Sequence, residues 1–104
     1  NLLKKLDRMG KLDLLVLTGF FIGEEANVDL IVVGSLDKEK LFQYLSGQLV
    51  KDLKKEIKYS IFTREDFLYR LECKDKFSRD IFRNKKNILL VNRIEKEIEE
   101  SQES

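Results

Sequence analysis

Leu14-Leu15-Val16-Leu17-Thr18-Gly19-Phe20-Phe21-Ile22-Gly23-Glu24-Glu25-Ala26-Asn27-Val28-Asp29-Leu30-Ile31-Val32-Val33 is the stretch on which the reading of the fold turns. Two runs dense in aliphatic and β-branched residues, Leu14 to Thr18 and Val28 to Val33, flank the polar turn Gly23 to Asn27. Runs of this kind bounded by turn residues are buried strands, and strands adjacent in sequence pair antiparallel through a hairpin. Strands are therefore expected near residues 13–19 and 28–34.

On the C-terminal side Gly34 is expected to break the second strand, and Asp37 is placed to cap a helix. Leu41, Phe42, Leu45, Leu49 and Leu53 then recur at helical spacing. Gly47 interrupts that helix at a cost of about 1 kcal/mol relative to alanine. Residues 57–62 alternate as a third strand with one face on the core. Thr63-Arg64-Glu65-Asp66 has the capping-box form that opens a helix carrying Phe67, Leu68 and Leu71. Asp75 caps a further short helix with Phe77, Ile81 and Phe82 inward, and a final strand is expected at 87–91. Upstream, Leu2, Leu3, Leu6 and Met9 share one helical face within residues 1–10, with Gly10 as the stop. The tail, 93–104, is polar except for Ile94 and Ile98 and reads as a solvated helix fraying before Ser101. These elements make one α+β domain over 1–104, a mixed sheet of about four strands packed with helices. The long helical crossover between the second and third strands permits them to be parallel neighbours.

Composition limits the chemistry. With 104 residues, 42% of them hydrophobic, the chain is one domain, which should bury roughly 65% of the surface its unfolded form exposes. Histidine is absent, which removes Ser-His-Asp and Cys-His nucleophilic catalysis and HExxH zinc chemistry. The single cysteine, Cys73, forms no internal disulfide, has no histidine to activate it, and reads as a half-buried structural thiol in a reducing cytoplasm. A net charge of +1 gives no overall field to draw in nucleic acid or anionic lipid. The apolar stretch from Leu12 to Ile22 contains Asp13 and falls short of the roughly 20 residues a membrane span requires. It follows Lys4, Lys5, Arg8 and Lys11 as a signal sequence would, but runs into Glu24-Glu25 and not into small residues at a cleavage site. The first residue is Asn1, so a piece of a longer protein is expected.

The hairpin stretch, from Leu17 to Val33, resembles the signature of the nucleotidyltransferase superfamily, a glycine-serine turn after one strand followed by Asp-x-Asp on the next. In that family the aspartates and a third carboxylate hold two divalent metals that neutralise the attacking and leaving oxygens of a phosphoryl transfer. Gly19 stands at the turn glycine, but Phe20 occupies the serine position. Asp29 matches the second aspartate, while Asn27 replaces the first, and a neutral amide binds magnesium poorly. The third acid should come from Lys58 to Ile61, where none is present. Asp29 is thus the only candidate metal ligand, and no metal or other cofactor is expected; magnesium enters only if the chain is an active transferase. Taken with Thr63-x-Glu65-x-Phe67, the pattern is similar to the nucleotidyltransferase-like domain at the C-terminal end of prokaryotic helix-turn-helix transcriptional regulators, over roughly residues 11–92. Gly19, Gly23 and Asp29 also suit an ordinary hairpin with turn glycines and one exposed or capping acid.

Arg79, Arg83, Lys85 and Lys86 form a basic cluster suited to gripping phosphate, or to a solvated helix face balanced by Asp75 and Asp80. Together with Gly19, Asn27 and Asp29 they are the candidate ligand-binding residues, for a nucleotide or another small polar molecule. The resemblance implies a catalytically degenerate, cytoplasmic regulatory or ligand-sensing module that reaches DNA only through an upstream domain and contacts no membrane. Two alternatives stay open: an active metal-dependent nucleotidyltransferase, and a homodimerisation domain worked by the terminal helices.

Overall fold

In the structure, a computed structural model that describes residues 1–102, the hairpin strands form the centre of a four-stranded sheet of order β3-β2-β1-β4. Helix α1 (Leu2–Asp7) leads into β1 (Gly10–Leu17), a 3-10 turn (Gly19–Ile22) and β2 (Leu30–Leu36). A continuous rod follows, made of α2 (Lys38–Gln43), a π-helical turn (Tyr44–Gln48) and α3 (Leu49–Leu53). Then come β3 (Tyr59–Phe62), α4 (Arg64–Glu72), α5 (Lys76–Arg83), β4 (Ile88–Asn92) and α6 (Glu95–Gln102). Strand β1 is antiparallel to both β2 and β4, and β2 is parallel to β3, so the sheet is mixed and the fold is α+β. Among the described residues no helix is long and apolar enough to cross a membrane.

Alternation along β2 divides the core. Leu30 and Val32 face α1 and the α2–α3 rod with Leu6, Leu41, Leu45 and Leu49, while Ile31 and Val33 face α4, α5 and α6 with Phe67, Leu71, Ile81 and Ile98. Strand β1 serves both layers by a different device. A register shift between Leu12 and Leu14 leaves Asp13 without a partner on β2, so Leu12 lies with Leu15 on one face and Leu14 with Val16 on the other.

Several expectations are corrected here. The first strand stops at Leu17 because Gly19 takes a left-handed φ of 49° and turns the chain out of the sheet. Gly34 does not end the second strand. It pairs with Leu12, and a Cβ there would sit 2.3 Å from the Lys11 carbonyl oxygen, so glycine allows the two strands to approach. Phe42 is 59% exposed, and Tyr44 takes the core position, where burial, with Asp52 adding to it, raises the phenol above its ordinary range. Cys73 is exposed, on the residue that ends α4. The tail helix runs through Ser101 to Gln102 instead of fraying, because Ile94 and Ile98 are buried in the core and Arg64 pairs with Glu97 at 3.1 Å. The last positions of the expected tail, 103–104, lie outside the described residues.

Phe67 is wholly buried and touches Phe62 and Phe82 ring to ring, with centroids 5.6 and 6.2 Å away. Phe67→Ala is expected to lower unfolding free energy by about 3–5 kcal/mol in urea titrations. Phe42→Ala on the exposed face of α2 should change it by less than about 0.5 kcal/mol.

Candidate functional site

Where β1 ends, the Thr18 N–H donates to the Asp29 carbonyl at 2.9 Å, and the chain then folds over the Asp29 side chain. Oδ1 of Asp29 accepts from the Phe20 N–H at 2.8 Å, and Oδ2 accepts from the Lys58 N–H at 3.0 Å. The backbone of Asp29 donates in turn to the Lys58 carbonyl at 2.7 Å, and the Lys58 ammonium donates to the Ala26 carbonyl. The carboxylate is 3% exposed, and both of its oxygens hold backbone amides. It joins the turn after β1, the start of β2 and the segment entering β3. Gly19 is required by this closeness as well as by its φ, since a Cβ would lie 2.3 Å from Asp29 Oδ1.

This geometry bears directly on metal binding. Phe20, at the turn position of a small hydroxyl, is 38% exposed, packs edge-on against Phe21, and lies under the Lys55 ammonium at 5.6 Å. Asn27 is exposed on the loop. Because Leu30 pairs with Tyr59, the position beside Asp29 on the neighbouring segment is Lys58, a cation. Among the described residues no group of three or more acidic, Cys or His side chains converges to hold a metal ion. A pair of divalent ions needs several carboxylate oxygens free to coordinate, and the residues here do not fit one.

The basic cluster divides. Lys86 pairs with Glu24 at 3.4 Å, and the other oxygen of Glu24 accepts from Asn84 Nδ2 at 2.9 Å, which fastens the α5–β4 turn to the hairpin loop. Arg79, Arg83 and Lys85 open instead on a pocket of about 500 Å³ between α4, α5 and the end of α6, with Leu71 and Phe82 in its lining and Ser101 on its wall. Gly19, Asn27 and Asp29 do not line that pocket, so the sequence-derived candidates form two places and not one. Asp80 tempers the charge nearby. Its hydrogen bond from Lys76 at 2.9 Å, more than the fields of Arg83 and Arg79, holds its carboxyl below the ordinary range. Asp75, the other expected counter-charge, pairs with Arg70 at 3.4 Å.

One group was not singled out in the sequence. Asp13, at the bulge of β1, is 2% exposed and pairs with Arg64 at 3.3 Å, and the second guanidinium nitrogen of Arg64 reaches Glu97. The signal was an acid inside an aliphatic run whose alternation changes phase at that residue. Its role is to tie β1 to the starts of α4 and α6, because burying such a charge unpaired is costly.

Compared with known proteins, the chain matches no family model, and neither a curated protein nor a solved structure matches it.

Removing the Asp29 acceptor orphans two amides, so Asp29→Ala should lower stability by about 1–3 kcal/mol for each amide left unsatisfied. Gly19→Ala should cost more than about 1 kcal/mol through its positive φ. Since the inserted Cβ meets Asp29 itself, the double variant is expected to lose less than the sum of the two singles, read by urea denaturation of all three.

Proposed function

We propose that this chain is a nucleotidyltransferase-like module without transferase activity that binds a small anionic ligand, a nucleotide or another phosphate-bearing molecule, as the regulatory half of a cytoplasmic transcriptional regulator. The observation that carries the loss of catalysis is the engagement of both Asp29 oxygens by the Phe20 and Lys58 amides. That carboxylate is buried with a backbone amide on each oxygen, whereas the phosphoryl transfer of the family depends on metals placed by several accessible carboxylates.

Ligand binding is supported by the pocket at Arg79, Arg83 and Lys85. Four cations in its lining, those three and Lys74, beside the apolar Leu71 and Phe82 match the two halves of a nucleotide, phosphate and base. The terminal helices are poor candidates for a dimer contact, because Leu6, Ile94 and Ile98 are already buried in the chain's own core. DNA contact belongs to an upstream segment in this reading, since the net charge is +1.

Thermal-shift titration with nucleoside mono-, di- and triphosphates is the test. A binding ligand at 100 times its dissociation constant adds about 2.7 kcal/mol of stability, and Arg83→Ala should weaken binding by about tenfold or more. Labelled ATP, CTP, GTP or UTP with magnesium or manganese should give no transfer to protein, RNA or small acceptors. Turnover that disappears in Asp29→Ala overturns the non-catalytic reading, and the absence of a shift with any nucleotide or with inorganic phosphate and pyrophosphate overturns the binding one.

A further inference from the structure

The two parallel strands send their helices to opposite sides. After β2 the chain enters the α2–α3 rod on the face of Leu30 and Val32, whereas after β3 it enters α4 on the face of Ile31 and Val33. Neighbouring parallel strands whose connections diverge in this way leave a crevice beyond their carboxyl ends, where open sheets with helices on both faces receive ligands. A cavity of about 370 Å³ lies there, a size within the range of small-molecule sites. Strand β3 ends at Phe62, opposite Val33, while β2 continues through Gly34, Ser35 and Leu36, so these three residues wall the cavity with no strand beside them on the β3 side.

Asp13 lines the cavity although it is 2% exposed, and its contacts with Arg64 at 3.3 Å and Lys11 at 4.0 Å both run through Oδ1. The hydrogen bond from Arg64 also ends on that oxygen, which leaves Oδ2 to accept another donor. Charge at this place stays negative, because Asp13 and Glu97 are two acids on one guanidinium, and Lys11 is 71% exposed and screened by solvent. Elsewhere in the lining, Lys38 at the start of α2 pairs with no acid among the described residues, and Leu36, Ile61 and Phe62 supply apolar surface.

We infer that this crevice is a binding site for a free α-amino acid with an apolar side chain, separate from the pocket at Arg83. The ammonium group of the ligand donates to Asp13 Oδ2 and to a carbonyl on the open edge of β2, its carboxylate meets Lys38, and its side chain lies on Ile61 and Phe62. A simple anion is the wrong ligand, because Glu65 and Asp66 share the lining with the buried Asp13. A simple cation is wrong as well, because Lys11, Lys38 and Arg64 stand there too. A zwitterion answers both sets, and an ammonium on a buried carboxylate oxygen makes a charge-assisted hydrogen bond where an unmade one is costly. The crevice lies beyond the end of β2, whereas Asp29 precedes its first residue, so it is distinct from the hairpin turn also.

Calorimetric titration with free leucine and free phenylalanine should show binding. N-acetyl-leucine, which lacks the ammonium, and leucinamide, which lacks the carboxylate, should each bind about tenfold more weakly than leucine. Lys38→Ala, at an exposed position, should weaken leucine about tenfold and remove its advantage over leucinamide. Asp13→Asn, checked for folding by circular dichroism, should bring leucine and N-acetyl-leucine to equal affinity. Arg83→Ala should bind leucine as the unaltered chain does, which keeps a failure here distinct from a failure of the phosphate site. Absence of binding by both amino acids overturns the inference. So does equal binding of leucine and its two blocked forms, or a Lys38→Ala chain that binds leucine unchanged. If Asp13→Asn does not fold, the blocked ligands and Lys38→Ala decide alone.

Discussion

Asp29 takes a carboxylate into the interior of the sheet and satisfies it entirely with backbone: the Phe20 amide on one oxygen, the Lys58 amide on the other. Three chain segments meet at that group, and each one sets something larger. The turn after β1 fixes where the hairpin loop leaves the sheet. The start of β2 fixes the register with β1. Lys58 fixes where β3 enters beside β2 as a parallel neighbour, which no local turn is able to do. A buried carboxylate with two charge-assisted hydrogen bonds is stronger than neutral pairs of the same geometry, and costly to leave incomplete. The glycine at position 19 follows from it, because only a residue without Cβ fits against Oδ1.

The same interaction shows how far a sequence pattern can stand from the chemistry it suggests. Glycine turn, aliphatic strand and acid at fixed spacing were readable in the sequence, and so was the absence of further acids. What spacing does not give is the direction in which an acid points. Asp29 points at amides, and Arg79, Arg83 and Lys85 open on a pocket that Asp29 does not line. The polar constellation at the bulge of β1, Asp13 with Arg64 and Glu97, is a brace between elements.

Legibility followed locality. The caps at Asp37, Thr63 and Asp75 lie where the sequence put them, because each is a bond between a side chain and an amide three residues on. The sheet's mixed character was legible from the length of the crossovers. Phe42 was misplaced because helical spacing gives a stripe but not its rotation about the axis, and Tyr44 falls on the buried side of that stripe. The α6 helix looked solvated because Ile94 and Ile98 are few. Their burial depends on α4 and α5 forming a surface for them, which is tertiary information. Gly34 was read as a breaker, since sequence alone does not distinguish a glycine that ends a strand from one that lets another strand come close.

The sheet order carries a consequence for how the chain is made. Strand β1 lies between β2, which follows it closely, and β4, whose Asn92 pairs with Leu14 across most of the chain. During synthesis the hairpin closes early, while the other side of β1, with Leu14 to Leu17, waits for almost the whole domain to be translated. For that interval a nascent chain presents the edge of its central strand uncovered, the kind of intermediate most open to wrong pairing or chaperone capture. The slow step is the arrival of a late strand at an early one, so folding rate should follow this single distant pairing more than the stability of the helices around it.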